Sequence, residues 1–315
     1  MPVLHRSIAS SIAAVTSGAL ILGIAPAAFA ADEPSAAAKA AATVENITGT
    51  DDLAHTTAGG GDQAAKAVTD TEAVKVTVTA PSASTGKVEA TAPDGTGLGL
   101  SLPSTKSTTG TKAGSGTVVY PDAAPSTDIA VQPTIDGGVR SLVTLKDGKA
   151  ATSQRFELSL PANTEIASNE DGGYDLIREI GDETAVAIGT IDAPWAKDAG
   201  GRDLPTNYKL EGNTLVQSIE TNSGTAFPVV ADPKVTWGWV TGTIYFNRKE
   251  TRRIALGGGL GATAIAAIPG GFTTVIGVTM AAITARASAA YDRGRCLRIK
   301  LPHVYPDHYK GGHCR

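Results

Sequence analysis

The run Arg155-Phe156-Glu157-Leu158-Ser159-Leu160 decides the fold class. Phe156, Leu158 and Leu160 alternate with charged or polar neighbours, the period of two expected of a strand with one buried face. The same signature recurs on both sides of it. Upstream, Val74, Val76 and Val78 alternate with Lys75, Thr77 and Thr79 until Pro81 stops the run. Short strands are expected at 87–92 and 98–102 around Asp94-Gly95, and at 139–145 between the turns Asp136-Gly137-Gly138 and Asp147-Gly148. Downstream, the turn Glu170-Asp171-Gly172-Gly173 precedes strands at 174–180 and 185–191. Gly212-Asn213 separates strands at 208–211 and 214–219. Short strands at about ten-residue spacing with turn residues between them predict an antiparallel, sandwich-like β fold. The sequence composition agrees, with 36 Gly, 17 Pro and only 5% aromatic residues.

The remaining segments divide by composition. Residues 1–30 have the form of a secretory signal: Arg6 in the n-region, an apolar core over 8–24, Pro26, and the cleavage site Ala28-Phe29-Ala30. Residues 31–70 are rich in Ala, Thr, Asp and Glu and read as a low-complexity spacer, with a short helix over 35–44. Residues 71–116 carry short strands and a Ser/Thr/Gly/Lys loop expected to be mobile, and 117–234 form the β-module. Residues 235–253 are a Trp-rich β stretch. Trp237 and Trp239 point to one face, which is either a core face or an aromatic face for sugar or wall polymer.

Residues 254–291 form an uncharged, Gly- and Ala-rich stretch interrupted by Arg286, and a helical hairpin turning at Pro269-Gly270-Gly271 is expected. Its arms would be about 22 and 28 Å long, too short or marginal for a bilayer core of about 30 Å. Three readings stand: a hairpin buried against the Trp strand, a membrane-active element, or an oligomerisation element. Cations fence it. Arg248, Lys249, Arg252 and Arg253 stand before it, and Arg293, Arg295, Arg298 and Lys300 follow Arg286. With Phe272, these are the residues expected to contact an anionic membrane or a cell-wall polymer. Residues 292–315 form a cationic tail that Cys296 and Cys314 are expected to close as a disulfide, contributing roughly 3 kcal/mol. From Arg248 onward 11 basic residues face 3 acidic ones, while residues 31–247 hold 15 basic and 28 acidic residues. The acidic body and basic end speak to partners more than to fold.

The sequence carries none of the strong catalytic or cofactor motifs, although paired carboxylates stay open because pairing depends on the fold. There is no G-x-S-x-G, H-E-x-x-H, P-loop or C-x-x-C pattern. Gly257-x-Gly259-x-x-Ala262 lacks the βαβ setting and the following acid of a dinucleotide site. His303, His308 and His313 lie near the cysteines but match no strong zinc spacing. No catalytic residue, metal or cofactor is assigned, and no specific nucleic-acid partner is expected of an acidic exported body.

Four phrases carry a resemblance: Val119-Tyr120-Pro121-Asp122-Ala123-Ala124-Pro125 with Asp128; Phe156-Glu157-Leu158-Ser159-Leu160-Pro161; Asp192-Ala193-Pro194-Trp195 with Asp198 and Gly200; and Phe227-Pro228-Val229-Val230-Ala231-Asp232-Pro233. Residues 117–233 so resemble a β-module of large secreted wall-associated and repeat-containing proteins of Gram-positive bacteria. There the phrases run Y-P-x-V-A-P-G-V-D, A-P-W-x-x-D-A-x-G and Y-P-V-x-x-D-P; this chain has Ser126-Thr127 in place of G-V. Trp237, Tyr245-Phe246-Asn247-Arg248 with Glu250-Thr251, and Cys296 to Lys300 with Gly311-Gly312 and Cys314-Arg315 are similar to the ends of uncharacterised secreted proteins of high-GC Gram-positive bacteria. The resemblances imply an extracellular or wall-associated, non-catalytic protein. They leave a membrane-active, bacteriocin-like end and an adhesive wall-binding β-module as the two functional expectations.

Overall fold

A computed structural model describes residues 33–71, 75–93, 95–181, 183–237, 242–261, 264, 280–301 and 304–315. The expected signal segment, Trp239, Phe272, His303 and the Pro269-Gly270-Gly271 turn lie outside the described residues. The chain is mainly β, and every strand pairing is antiparallel.

One sheet has eight strands in the order β1-β2-β3-β4-β5-β10-β16-β15. These are β1 (Thr56–Ala58), β2 (Gln63–Asp70), β3 (Lys75–Pro81), β4 (Lys87–Thr91), β5 (Gly97–Ser101), β10 (Ser153–Ser159), β16 (Thr214–Ile219) and β15 (Thr206–Glu211). The alternation that predicts β10 appears as alternating burial, with Gln154, Phe156 and Leu158 inward. Leu158 pairs with Leu100 of β5, and Phe156 with Leu215 of β16. Strand β10 thereby joins the early block to the expected module. β15 and β16 turn through Gly212-Asn213, where Gly212 has φ 62° and no Cβ to oppose it.

The second sheet has thirteen strands. Its main path runs β21 (Tyr305–Tyr309), β20 (Cys296–Lys300), β19 (Thr243–Phe246), β13 (Thr184–Ile191), β18 (Lys234–Trp237), β9 (Gly138–Leu145), β8 (Thr127–Pro133), β7 (Thr117–Ala124) and β6 (Thr111–Ala113). β11 (Thr164–Ser168) and β12 (Tyr174–Gly181) continue from the other edge of β13, and β14 (Ala196–Lys197) pairs with β17 (Val229–Ala231) beside β9. One hydrophobic cluster draws on both sheets, including Val78, Leu100 and Phe156 of the first and Ile129, Val143 and Trp237 of the second. The Tyr120 hydroxyl crosses between them to donate to the Pro81 carbonyl at 2.6 Å.

Four expectations change against this architecture. The expected spacer is folded: α1 (Ala36–Thr48) starts on Ser35, whose side chain accepts from the Ala38 amide, and buries Ala37, Ala40, Ala41 and Val44. They meet Val119, Ala130, Leu142 and Val230 on the back of the large sheet. Small side chains let a helix approach closely, so a segment without aromatics still buries a face. The expected mobile loop is anchored: Ser84, fully buried, donates to the Lys106 carbonyl and accepts from the Thr108 amide. Residue 234 opens β18, which lies between β9 and β13, so the chain on either side of the expected module limit shares one sheet.

The expected hairpin also begins differently. Helix α2 spans Arg248–Ala255, with Asn247 accepting from the Glu250 amide at its start. It ends where Gly257 and Gly259 take φ 84° and 66°, and Arg253 donates to the Gly258 carbonyl. Three successive glycines cost roughly 1 kcal/mol each in a helix, so α2 takes in the first cationic flank and ends as the glycines begin. Residues 262–279, Ala264 excepted, lie outside the described residues; Ala264 is buried in the main core. Helix α3 (Met280–Asp292) follows. It packs against α2, β20 and β21 and places Ile283 and Ala287 in the core. Among the described residues no helix is long and apolar enough to cross a membrane.

Candidate functional site

The outer face of β11, β12, β13, β19, β20 and β21 is hollowed. Two adjoining cavities of about 320 and 380 Å³ share Asn169, Glu170, Asp175, Tyr245 and Arg298. Each strand contributes by register: Tyr174 to Arg178 pair across β11, Val186 pairs with Ile244, and Tyr245 pairs with Arg298, which pairs with Asp307. The last two registers bring the central polar side chains onto one face.

Arg298 is the centre. It is only 6% exposed. Its guanidinium donates to Asp307 Oδ2 at 3.1 and 2.8 Å and to Glu170 Oε2 at 2.9 Å. Burial opposes the ionised form of Asp307, but hydrogen bonds from Arg298 and the His308 amide outweigh it and lower its carboxyl pKa. Glu170 is presented by the β11–β12 turn, where Asn169 Oδ1 accepts from the Asp171 and Gly173 amides. Asp175 accepts from the Tyr245 hydroxyl and from Asn169 Nδ2. Tyr245 meets Tyr309 edge-on with centroids 4.8 Å apart. Burial, then the Asp175 charge, pushes the Tyr245 phenol well up, so it stays a donor.

The tail closes one end of the hollow. Cys296 and Cys314 form a disulfide with Cα atoms 5.6 Å apart. Gly312 lies against Ala167 of β11, where a Cβ would come within 3.0 Å. Arg315 donates to Glu179 of β12 at 2.8 Å. Around the hollow five carboxylates (Glu165, Glu170, Asp171, Asp175 and Asp192) face Arg298, Lys300 and Lys310. Such a polar, anion-rich concavity can hold a hydroxylated or cationic ligand. Ser168 lines it, and among the described residues no histidine does.

The expected contact residues separate into two groups. Arg248 stacks over Tyr291 at 4.3 Å and donates to the Tyr291 and Arg295 carbonyls, capping the end of α3. Lys249 pairs with Glu183, Arg253 with Glu250, and Arg298 with Glu170 and Asp307. Lys300 lies 3.7 Å from Asp307. These five contact the protein's own groups, Arg298 as a buried residue and Lys249 from an exposed position. A cation beside an acidic body is drawn first to that body's own carboxylates. Arg252, Arg286, Arg293 and Arg295 have no ion pair among the described residues, and Arg293 donates to the Ala289 carbonyl. Trp237 is 3% exposed within the core; it is not an exposed aromatic face. Among the described residues no cluster of three His, Cys, Asp or Glu is placed to hold a metal.

Two of the phrases that carry the wall-module resemblance, 192–200 and 227–233, meet through Trp195 and Asp232. Asp198, fully buried, accepts from the Gly200, Arg202 and Ala226 amides and from the Arg202 guanidinium. Arg202 leads the causes that bring its carboxyl down to about 2. Asp232, also fully buried, accepts from the Trp195 amide at 2.9 Å. Both acids therefore hold loop backbone in place. Compared with known proteins, the chain matches no family, no curated protein and no solved structure.

Proposed function

We propose that this chain is an exported, non-catalytic cell-envelope protein whose concave outer face binds a wall polymer. The observation that carries this reading is the hollow around Arg298, a polar concavity built from six strands and closed by a disulfide-held tail. Concavity with a few convergent polar groups is the usual form of a ligand site. The excess of carboxylates favours hydroxyls and amines, the groups that amino sugars and peptide-bearing wall glycans offer. The disulfide fits an oxidising compartment, and the N-terminal signal pattern fits export. In this reading the helices are packing elements: Ile254, Ala264, Ile283 and Ala287 are fully buried.

The test is co-sedimentation of the mature protein with purified Gram-positive cell walls. Asp171 and Asp192 are both exposed on the rim, and the double variant Asp171→Lys/Asp192→Lys should release the protein into the supernatant while leaving its thermal unfolding unchanged. Undiminished sedimentation of that variant would end the groove assignment.

A second reading, contact with anionic lipid through the α2–α3 end, is favoured by Leu256, 77% exposed near Arg252. An apolar side chain beside a cation suits an interfacial anchor. Binding of the full chain to phosphatidylglycerol vesicles at low salt, abolished by Leu256→Ser, would support it; no binding at low salt removes it.

A further inference from the structure

The two sheets meet at a buried polar cluster that has no charge to balance it. Asp232 follows β17 in the large sheet and is fully buried. Its Oδ1 accepts from the Trp195 amide and from Gln217 Nε2 at 3.2 Å; its Oδ2 has no partner. Gln217 lies in β16 of the small sheet and is also fully buried. Its Nε2 faces three acceptors, Asp232 Oδ1, the Trp195 carbonyl and Thr206 Oγ1, while its Oε1 has none. Tyr208 of β15 turns its hydroxyl toward the same carboxylate; the contact lowers the Asp232 carboxyl somewhat but falls outside hydrogen-bond geometry. Three buried polar atoms from three chain segments thus stand unpaired together.

Unpaired buried polar atoms are rare, and an ionised carboxylate without a cation is the costliest of them. Among the described residues no lysine or arginine reaches Asp232. Lys234, two residues on, and Lys197, opposite Val230 in the β14–β17 pair, are engaged elsewhere, with Asp136 and Asp203 respectively, each at 2.6 Å. The other titratable groups facing the cluster are Tyr208 itself, Asp192 after β13 and Tyr174 of β12, none of which supplies a positive charge. One proton resolves the arrangement. A neutral acid at Oδ2 becomes a donor, and Gln217 Oε1 and the Tyr208 oxygen are the acceptors that lack one.

We propose that Asp232 is a proton-operated clasp between the two sheets: as the neutral acid it donates to one of the two unpaired oxygens, Gln217 Oε1 or that of Tyr208, and its ionisation loosens the β15–β16 hairpin from the β14–β17 pair. Burial, the first cause, raises the Asp232 carboxyl to about 7, in keeping with that geometry. The sign follows. A raised carboxyl binds protons more tightly folded than unfolded, so its stabilisation is full below about pH 4 and is lost as pH rises to about 7. The folding equilibrium should weaken by as much as about a thousandfold across that window from this group alone.

The experiment is urea unfolding of the full chain at half-unit steps from pH 4.5 to 8.5, beside Asp232→Asn, which keeps the neutral shape and the donor. The wild type should lose stability with rising pH relative to the variant, and the variant should be the more stable protein at pH 8. Protection factors of the 206–219 amides, corrected for the intrinsic base-catalysed exchange rate, should fall with rising pH in the wild type alone. Infrared spectroscopy of the wild type covers the case in which the variant fails to fold: a protonated-carboxyl carbonyl band should be present at pH 6 and fade near pH 7 to 8. A parallel pH dependence in both proteins, or no such band at pH 6, overturns the proposal.

Discussion

Removing the guanidinium of Arg298 is the sharpest perturbation of the groove. Arg298→Met keeps most of the aliphatic stem and deletes the charge. Arg298 is 7% exposed in its side chain, Asp307 22% and Glu170 64%. The Glu170 contact therefore resembles a surface pair and contributes at most about 1 kcal/mol. The Asp307 contact is largely desolvated, and losing one partner of such a pair costs about 3–5 kcal/mol. Lys300, 3.7 Å from the same oxygen, offsets part of the loss. The expected destabilisation is about 3 kcal/mol at pH 7.

The pH dependence gives that figure a second check. In the wild type the Asp307 carboxyl lies below its ordinary value. Its stabilisation is present above the unfolded pKa near 4 and is lost as pH falls through the folded value. In Arg298→Met burial acts with less opposition and raises the same group, so the variant's penalty shrinks once Asp307 takes up its proton. Urea unfolding at pH 7, 5, 4 and 3 should show the two proteins converging toward acid. Replacing both partners, Arg298→Met with Asp307→Asn, should recover most of the loss. A single variant within about 0.5 kcal/mol of wild type at pH 7, or a double variant no better than the single, would show that this pair is not buried as described.

Two further outcomes are expected. Reducing the Cys296–Cys314 disulfide, which spans 18 residues, should lower unfolding stability by about 3 kcal/mol and expose 310–315 to proteolysis; full thiol release with unchanged stability refutes this. Gly173→Ala should destabilise by about 1–3 kcal/mol or more, because a Cβ there would lie 2.0 Å from the Ile191 carbonyl oxygen and the β12–β13 pairing would have to shift. Gly60→Ala, with nothing within 4 Å of its Cβ and no positive φ, is the control and should be close to neutral.

The strands were legible because their alternation is local. Residues 153–160 announce β10 from side-chain order alone, and Gly212-Asn213 announces the β15–β16 turn. Ser35 before an Ala run marked the start of α1, though its extent and burial were not legible. Its stability comes from Val119, Leu142 and Val230, residues 75 or more positions away. The groove was illegible for the same reason. Asp175, Tyr245, Arg298 and Asp307 carry no shared spacing; only the registers of β12, β13, β19, β20 and β21 bring them together. Gly311-Gly312 and the cysteine pair were visible as residues, but not as the strap that reaches β11.

Charge was the most misleading signal, and the reason is physical. A basic end of +8 after an acidic body of −13 reads as an invitation to an anionic partner. In the folded chain that end meets the body first. Lys249 joins Glu183, Arg298 joins Glu170, and Arg315 joins Glu179, each a basic side chain from the last 68 residues on a carboxylate from before residue 184. Local pairs at Arg253 and Lys300 absorb two more. Arg248, Arg252, Arg286, Arg293, Arg295 and Lys310 remain without an ion pair among the described residues, Arg248 being held by the Tyr291 ring and two backbone carbonyls. At physiological ionic strength exposed charges are screened over about 8 Å, so cations farther apart than that act separately. A long-range field that could gather the protein onto lipid would need them to act together. The groove's carboxylates, by contrast, are gathered around one concavity, with Asp171 and Asp192 exposed on its rim. Under the proposed wall-polymer reading the electrostatic match lies in the anionic hollow, a grouping that the residue count alone does not show.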